Sequence, residues 1–160
     1  MRTIEGTSYV DGLRVAVIVS KYNDFVTDRL QSGAVAALGH AGVPSDKITI
    51  LKVPGAFEIS LAAHQAAASG KYDAVVCLGC LIRGATAHFE YISSAVSHGI
   101  TAAAAATGVP ITFGVLTTNS VEEAIERAGD GPSNKGWEAA AAAVEMASVM
   151  AQLKSGPRTL

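Results

Sequence analysis

Arg83, Gly84, Ala85 and Thr86 join an apolar run to a helical pattern, and His88 follows two residues later. Small residues at such a junction let a ligand approach the backbone. The start of the helix offers unpaired N–H groups and a partial positive charge, so the segment suits an anion such as phosphate. An ordinary tight turn with Gly84 at positive φ fits the same residues. Gly79 and Gly84 have the glycine spacing of a nucleotide P-loop, but no Lys-Ser or Lys-Thr pair follows, and G-x-G-x-x-G is absent. His88 places an imidazole, a ring able to accept or donate a proton, beside this loop. His40, His64 and His98 share no such loop and read as structural.

A second small-residue segment, Pro54-Gly55-Ala56-Phe57-Glu58, also follows an apolar run. Phe57 is compatible with a core position and Glu58 with a favourable charge in a first helical turn. The functional alternative is that Ala56 and its neighbours expose backbone groups to a heterocycle while Glu58 binds hydroxyls. Tyr22 and Asn23 could stack on a planar ring and bond its edge, or be a surface tyrosine beside a capping asparagine. Cys77 and Cys80 lie three apart in a strand pattern, hence on opposite faces, so they can neither pair nor share a metal. No metal site is expected. Arg127, Lys135 and Glu138 fall near the same end of the sheet, where solvation alone would explain each of them.

The elements that must position these residues alternate. Leu13–Val19, Ile48–Val53, Ala74–Ile82 and Ile111–Thr117 are short β-branched or wholly apolar runs and read as strands. Between them lie helical patterns. One is capped by Asn23 or Asp24 and ends at Gly42-Val43-Pro44. Another runs from Pro54-Gly55 to about Gly70, and a third from Thr86 to about Thr107. Ser120 and Glu123 form a capping box for a short helix ending near Gly129, and a last helix spans about Asn134 to Leu153. Alternation of this kind implies a parallel sheet with right-handed crossovers and helices on both faces. Ligands then bind beyond the carboxyl ends of the strands. That rule selects 20–24, 54–58, 83–88 and Phe113 with the loop beyond it.

Composition sets the frame. One domain covers the 160 residues, with a loose tail expected over 155–160. The hydrophobic fraction is 49% and charged residues are only 16%, which suggests that copies of the chain cover apolar surface on one another. A net charge of −2 without a basic stripe argues against a nucleic-acid partner. No apolar stretch reads as a membrane span or a signal peptide, so a cytoplasmic setting is expected.

Taken together, these segments resemble the lumazine synthases of riboflavin biosynthesis over roughly Ile4 to Val149. The matching motifs are Lys21-Tyr22-Asn23-Asp24, Val53 to Glu58, Leu78-Gly79, Ile82 to Thr86, His88-Phe89, Gly114 to Thr118, Glu126 to Gly129 and Asn134-Lys135-Gly136. The resemblance implies an α/β, flavodoxin-like three-layer sandwich with a four-stranded parallel sheet, to which a neighbouring subunit's N-terminal segment adds. It implies a transferase that condenses 5-amino-6-(D-ribitylamino)uracil with 3,4-dihydroxy-2-butanone 4-phosphate to 6,7-dimethyl-8-ribityllumazine, without a cofactor.

It also implies roles. Tyr22 would stack on the uracil and Asn23 hold it. Ala56, Phe57 and Glu58 would bind the ribityl-bearing substrate, with Cys80, Leu81 and Ile82 along the ring edge. Gly84, Ala85 and Thr86 would take the phosphate, joined by Arg127 of the next subunit, whose Phe113 would cover the ring. His88 would shuttle protons, with Lys135 and then Glu138 near the phosphate. The implied assembly is a homopentamer. The short segment between Gly129 and Gly136 favours a sixty-subunit icosahedral shell of twelve pentamers, while Gly131-Pro132 departs from the shell-forming pattern. Association with riboflavin synthase is a further expectation. The rivals are an archaeal-type riboflavin synthase, disfavoured by Gly84-Ala85-Thr86 with His88, and a non-catalytic lumazine carrier or shell protein, disfavoured by His88, Arg127 and Lys135 together.

Overall fold

The computed structural model describes residues 1–156; of the expected tail, residues 157–160 lie outside the described residues. The first β-branched run becomes β1 (Val15–Ser20), buried at every position. β2 (Ile48–Val53), β3 (Ala74–Ile82) and β4 (Ile111–Thr118) follow and pair in parallel in the order β2-β1-β3-β4. The chain steps one way from β1 to β2 and the other way to β3, so the order reverses between β1 and β3. A crevice opens at such a switch point, beyond the carboxyl ends of the strands.

Alternate residues of β1 serve two cores, as a strand's two-residue period requires. Val15, Val17 and Val19 join one with Leu30 and Ala34 of α1 (Asp24–His40) and Ala140 and Val144 of α5 (Lys135–Lys154). Ala16 and Ile18 join the other with Ile59 and Ala63 of α2 (Ile59–Ala68) and Val96 and Ile100 of α3 (His88–Thr107). A short α4 (Val121–Arg127) closes the β4 end. The described residues therefore form the expected three-layer sandwich. Each fully buried Val, Leu or Ile contributes about 1.5–3 kcal/mol, so the two cores dominate what fixes the sheet.

Several boundaries differ from the sequence reading. α3 begins at His88 rather than Thr86, and the preceding loop leaves the sheet at Arg83, whose N–H is bonded to the Thr118 carbonyl. Short 3₁₀ turns at Ser45–Lys47 and Ala56–Glu58 carry no periodic signal that sequence could reveal. Ser120 does cap α4, accepting from the Glu123 N–H at 3.2 Å, but the Glu123 carboxylate reaches back to the Asn119 N–H, one residue before the expected one. At the N terminus the described residues before β1 form no strand. Residues 5–7 run along α5 instead, where Thr7 bonds Ser148 and the Gln152 amide donates to the Glu5 carbonyl at 2.7 Å. At the sheet's other end, burial pushes the Asp73 carboxyl up, yet the hydrogen bonds and charge of Arg14 outweigh this and hold it below the usual range.

The seam between α1 and α5 is the tightest helix contact. A Cβ on Gly136 would run into the Leu30 carbonyl of α1, backbone that cannot rotate away. Gly136→Ala is therefore expected to cost about 3 kcal/mol through overpacking. Gly39→Ala, on α1 with nothing within 4 Å of its new Cβ, should be neutral or mildly stabilising. Urea denaturation of the two variants checks this, and equal midpoints would refute the tight seam.

Candidate active site

The loops beyond β1, β2 and β3 are laced together before any side chain reaches a ligand. The Lys21 N–H donates to the Val53 carbonyl at 2.8 Å and the Tyr22 N–H to the Pro54 carbonyl at 3.1 Å, extending the β1–β2 pairing into the loops. Asn23 stands at the N-cap of α1, but its side chain makes no cap bond. Its amide instead crosses to β3 and donates to the Cys80 carbonyl at 2.9 Å. Asn23 adopts a left-handed φ of 62°, unique to it among the described non-glycine residues. That conformation costs about 1 kcal/mol for an ordinary side chain and least for asparagine, and here it aims the amide across the switch point.

Arg83 fastens the far side. Its N–H donates to the Thr118 carbonyl at 2.8 Å. Its guanidinium bonds the Asn119 side chain and Glu90 and lies over the Phe89 ring, 4.5 Å from the centroid. Gly84 has no left-handed φ, and a Cβ there would meet nothing within 4 Å, so the tight-turn alternative loses its premise. The loop is open space bordered by backbone. The Thr86 hydroxyl accepts from the His88 N–H at 3.4 Å, at the first turn of α3.

These loops surround a cavity of about 680 Å³. Tyr22, Asn23, Ala56, Phe57 and Glu58 line one side, and Cys80, Leu81 and Ile82 the floor and edge. Gly84, Thr86 and His88 complete it, with Ala85 exposed between its neighbours in the same loop. Tyr22 is 73% exposed and Phe57 61%, so neither ring is a core residue despite its size. Pro54 and Gly55, from the loop that the sequence reading selected, also line the cavity; Phe89 and Ile92 do so too and were given no site role. Ile92 lies four residues after His88, so helical spacing puts both on one face and could have identified it.

Phe113, Arg127, Lys135 and Glu138 are not in this cavity. They line a separate groove of about 550 Å³ formed by edge strand β4 with α4 and the start of α5. Lys135 pairs with Glu138 at 2.9 Å, and the Arg127 guanidinium donates to its own helix at the Glu123 carbonyl, 3.1 Å away. Phe113 is 45% exposed at the strand edge. The two surfaces are complementary in kind. The first has exposed aromatic rings, an open loop at Gly84 and an imidazole but no Lys or Arg among its lining residues; the second has two cations and an aromatic ring.

The cysteines take no visible part in ionic chemistry. Cys77 and Cys80 are free and belong to opposite cores. Burial pushes the Cys77 thiol up to about 12 and the Cys80 thiol up to about 11, so both stay protonated at neutral pH. Among the described residues no three His, Cys, Asp or Glu side chains gather to hold a metal, and no helix is long and apolar enough to cross a membrane.

Comparison with known proteins points to one family. The family model described as 6,7-dimethyl-8-ribityllumazine synthase matches residues 12–151. A 6,7-dimethyl-8-ribityllumazine synthase of Desulfatibacillum aliphaticivorans is 49% identical, covering 96% of this chain and 99% of that protein. One of Syntrophus aciditrophicus (strain SB) is 50% identical, covering 93% of this chain and 97% of that protein.

Proposed function

The chain belongs to the 6,7-dimethyl-8-ribityllumazine synthase family, and from that premise we propose that its cavity and its β4 groove are two halves of one active site, joined between neighbouring copies. The activity is that of the family. A ribitylaminouracil and a phosphorylated dihydroxybutanone condense to 6,7-dimethyl-8-ribityllumazine, releasing phosphate and water. The observation that carries the two-halves reading is the absence of Arg127 and Lys135 from the cavity that holds Gly84, Thr86 and His88.

In this reading the uracil stacks on Tyr22, with its edge against the backbone of 80–82 and its ribityl chain towards Glu58. Phe113 of the adjoining copy covers the ring. The Asn23 bridge to Cys80 keeps the stacking residue and the edge-binding backbone at one spacing. The ketone phosphate sits at 84–86, where the loop is open beside the start of α3. Arg127 and Lys135 of the neighbour supply the positive charge that stabilises the departing phosphate. His88 serves the proton transfers of imine formation, phosphate elimination and ring closure. Holding two reactants in register contributes much of the acceleration.

A head-to-tail interface that places one copy's β4 groove on the next copy's cavity generates a ring. The ring we propose is a homopentamer, with the short 129–136 connection favouring closure of twelve rings into a shell. The exposed Phe57, Leu61, Tyr91 and Phe113 side chains give such contacts their apolar surface. The test is direct. Incubated with both substrates, the purified protein should form lumazine, followed by absorbance, with stoichiometric inorganic phosphate and no loss of rate in chelator. A rate no higher than the spontaneous condensation would refute the catalytic reading.

A further inference from the structure

Asn134 does more than a helix cap needs. It is 2% exposed and stands at the N-cap of α5, where its Oδ1 accepts from the Gly136 N–H at 2.7 Å and the Trp137 N–H at 3.2 Å. Serine or aspartate could perform that half of the task. The Nδ2 group donates twice, to the Gly129 carbonyl at 2.9 Å and the Arg29 carbonyl of α1 at 3.1 Å. All four hydrogen-bonding capacities of the amide are therefore used. A Cβ on Gly33 of α1 would run into the same Asn134 side chain, so the amide is wedged as well as bonded.

The amide and its two acceptors line a pocket on the α1 side, next in the chain to the two cations of the β4 groove. Gly129 comes two residues after Arg127, and Lys135 comes directly after Asn134. The connection between them includes Gly129, Gly131 at φ 79°, and Pro132, and has no regular structure to fix its span. One buried side chain thus ties the end of α4 and the start of α5 to α1. We propose that Asn134 is a positioning residue for phosphate recognition, its amide setting the separation of Arg127 and Lys135. The inference rests on the reading of those two cations as the phosphate-binding half of the site.

Asn134→Ser and Asn134→Asp keep an acceptor for the α5 cap and delete both donations. Each is made in the full chain, and the assembled fraction is isolated by size exclusion before steady-state kinetics with each substrate varied in turn. The KM for the butanone phosphate is expected to rise about tenfold, the effect of losing a well-placed charged hydrogen bond. The KM for the ribitylaminouracil should stay within about twofold, since its half of the site lies elsewhere. Inhibition by inorganic phosphate should weaken in parallel. A merely structural role would lower kcat through lost enzyme and leave both KM values alone; that result, or an equal rise in both, overturns the proposal. Failure of both variants to assemble also overturns it, because the amide would then be a determinant of folding. Arg127→Ala in the same assay separates the two levels. If it changes neither kcat nor the KM for the butanone phosphate, the reading of the groove fails and takes this inference with it. If it raises that KM while the Asn134 variants do not, only the inference fails.

Discussion

Arg127→Ala is expected to lower kcat/KM by about 10²–10³, the usual consequence of removing a preorganised charge at a site of developing negative charge. His88→Ala should cost less. The His88 side chain is exposed at the mouth of the cavity, where water or buffer can reach the same atoms and carry protons in its place. Nothing mobile in solution replaces a guanidinium held against phosphate. Removing Arg127 also breaks little else, because among the described residues its side chain bonds only the Glu123 carbonyl one turn back on an exposed helix face. Loss of activity can thus be read as loss of charge rather than of fold. Single-turnover rates decide the order, and a His88→Ala enzyme more damaged than Arg127→Ala would show that proton transfer, not phosphate departure, limits the reaction.

β1 and β3 were legible because they are buried nearly throughout. β3 is apolar through Ala74–Ile82, and its observed bounds match the reading residue for residue. β1 was read two residues early, since Leu13 is as buried as a strand residue yet precedes the ladder. The loops of the site could be placed by the rule for parallel sheets. What held them could not. Asn23 was read as one of two possible caps for α1 or as a group bonding a ring's edge, whereas its amide bonds a carbonyl 57 positions along the chain. Asn134 was read only as the start of a helix and as part of a motif. Its contact with Arg29 spans 105 positions, and no periodicity encodes a contact of that range. The family resemblance, not spacing, assigned Phe113 and Arg127 to a neighbouring copy, and their place in a separate groove supports that assignment.

Co-refolding two inactive variants tests the divided site most directly. Ala85→Glu puts a carboxylate into the phosphate loop and blocks the cavity of its own chain by charge repulsion. Arg127→Ala leaves that cavity intact and disables the groove offered to the neighbour. Each variant alone assembles into rings in which every site carries the same defect. Mixed in equal amounts, unfolded and refolded together, they assort at random, and a site is whole wherever an Arg127→Ala cavity meets an Ala85→Glu groove. Around a head-to-tail ring that pairing arises at about one site in four. With assembly verified by size exclusion, recovery of about a quarter of the unmutated activity is the predicted result. A mixed assembly of normal size that stays as inactive as its parents would contradict the account, and would place Arg127 in the site of its own chain.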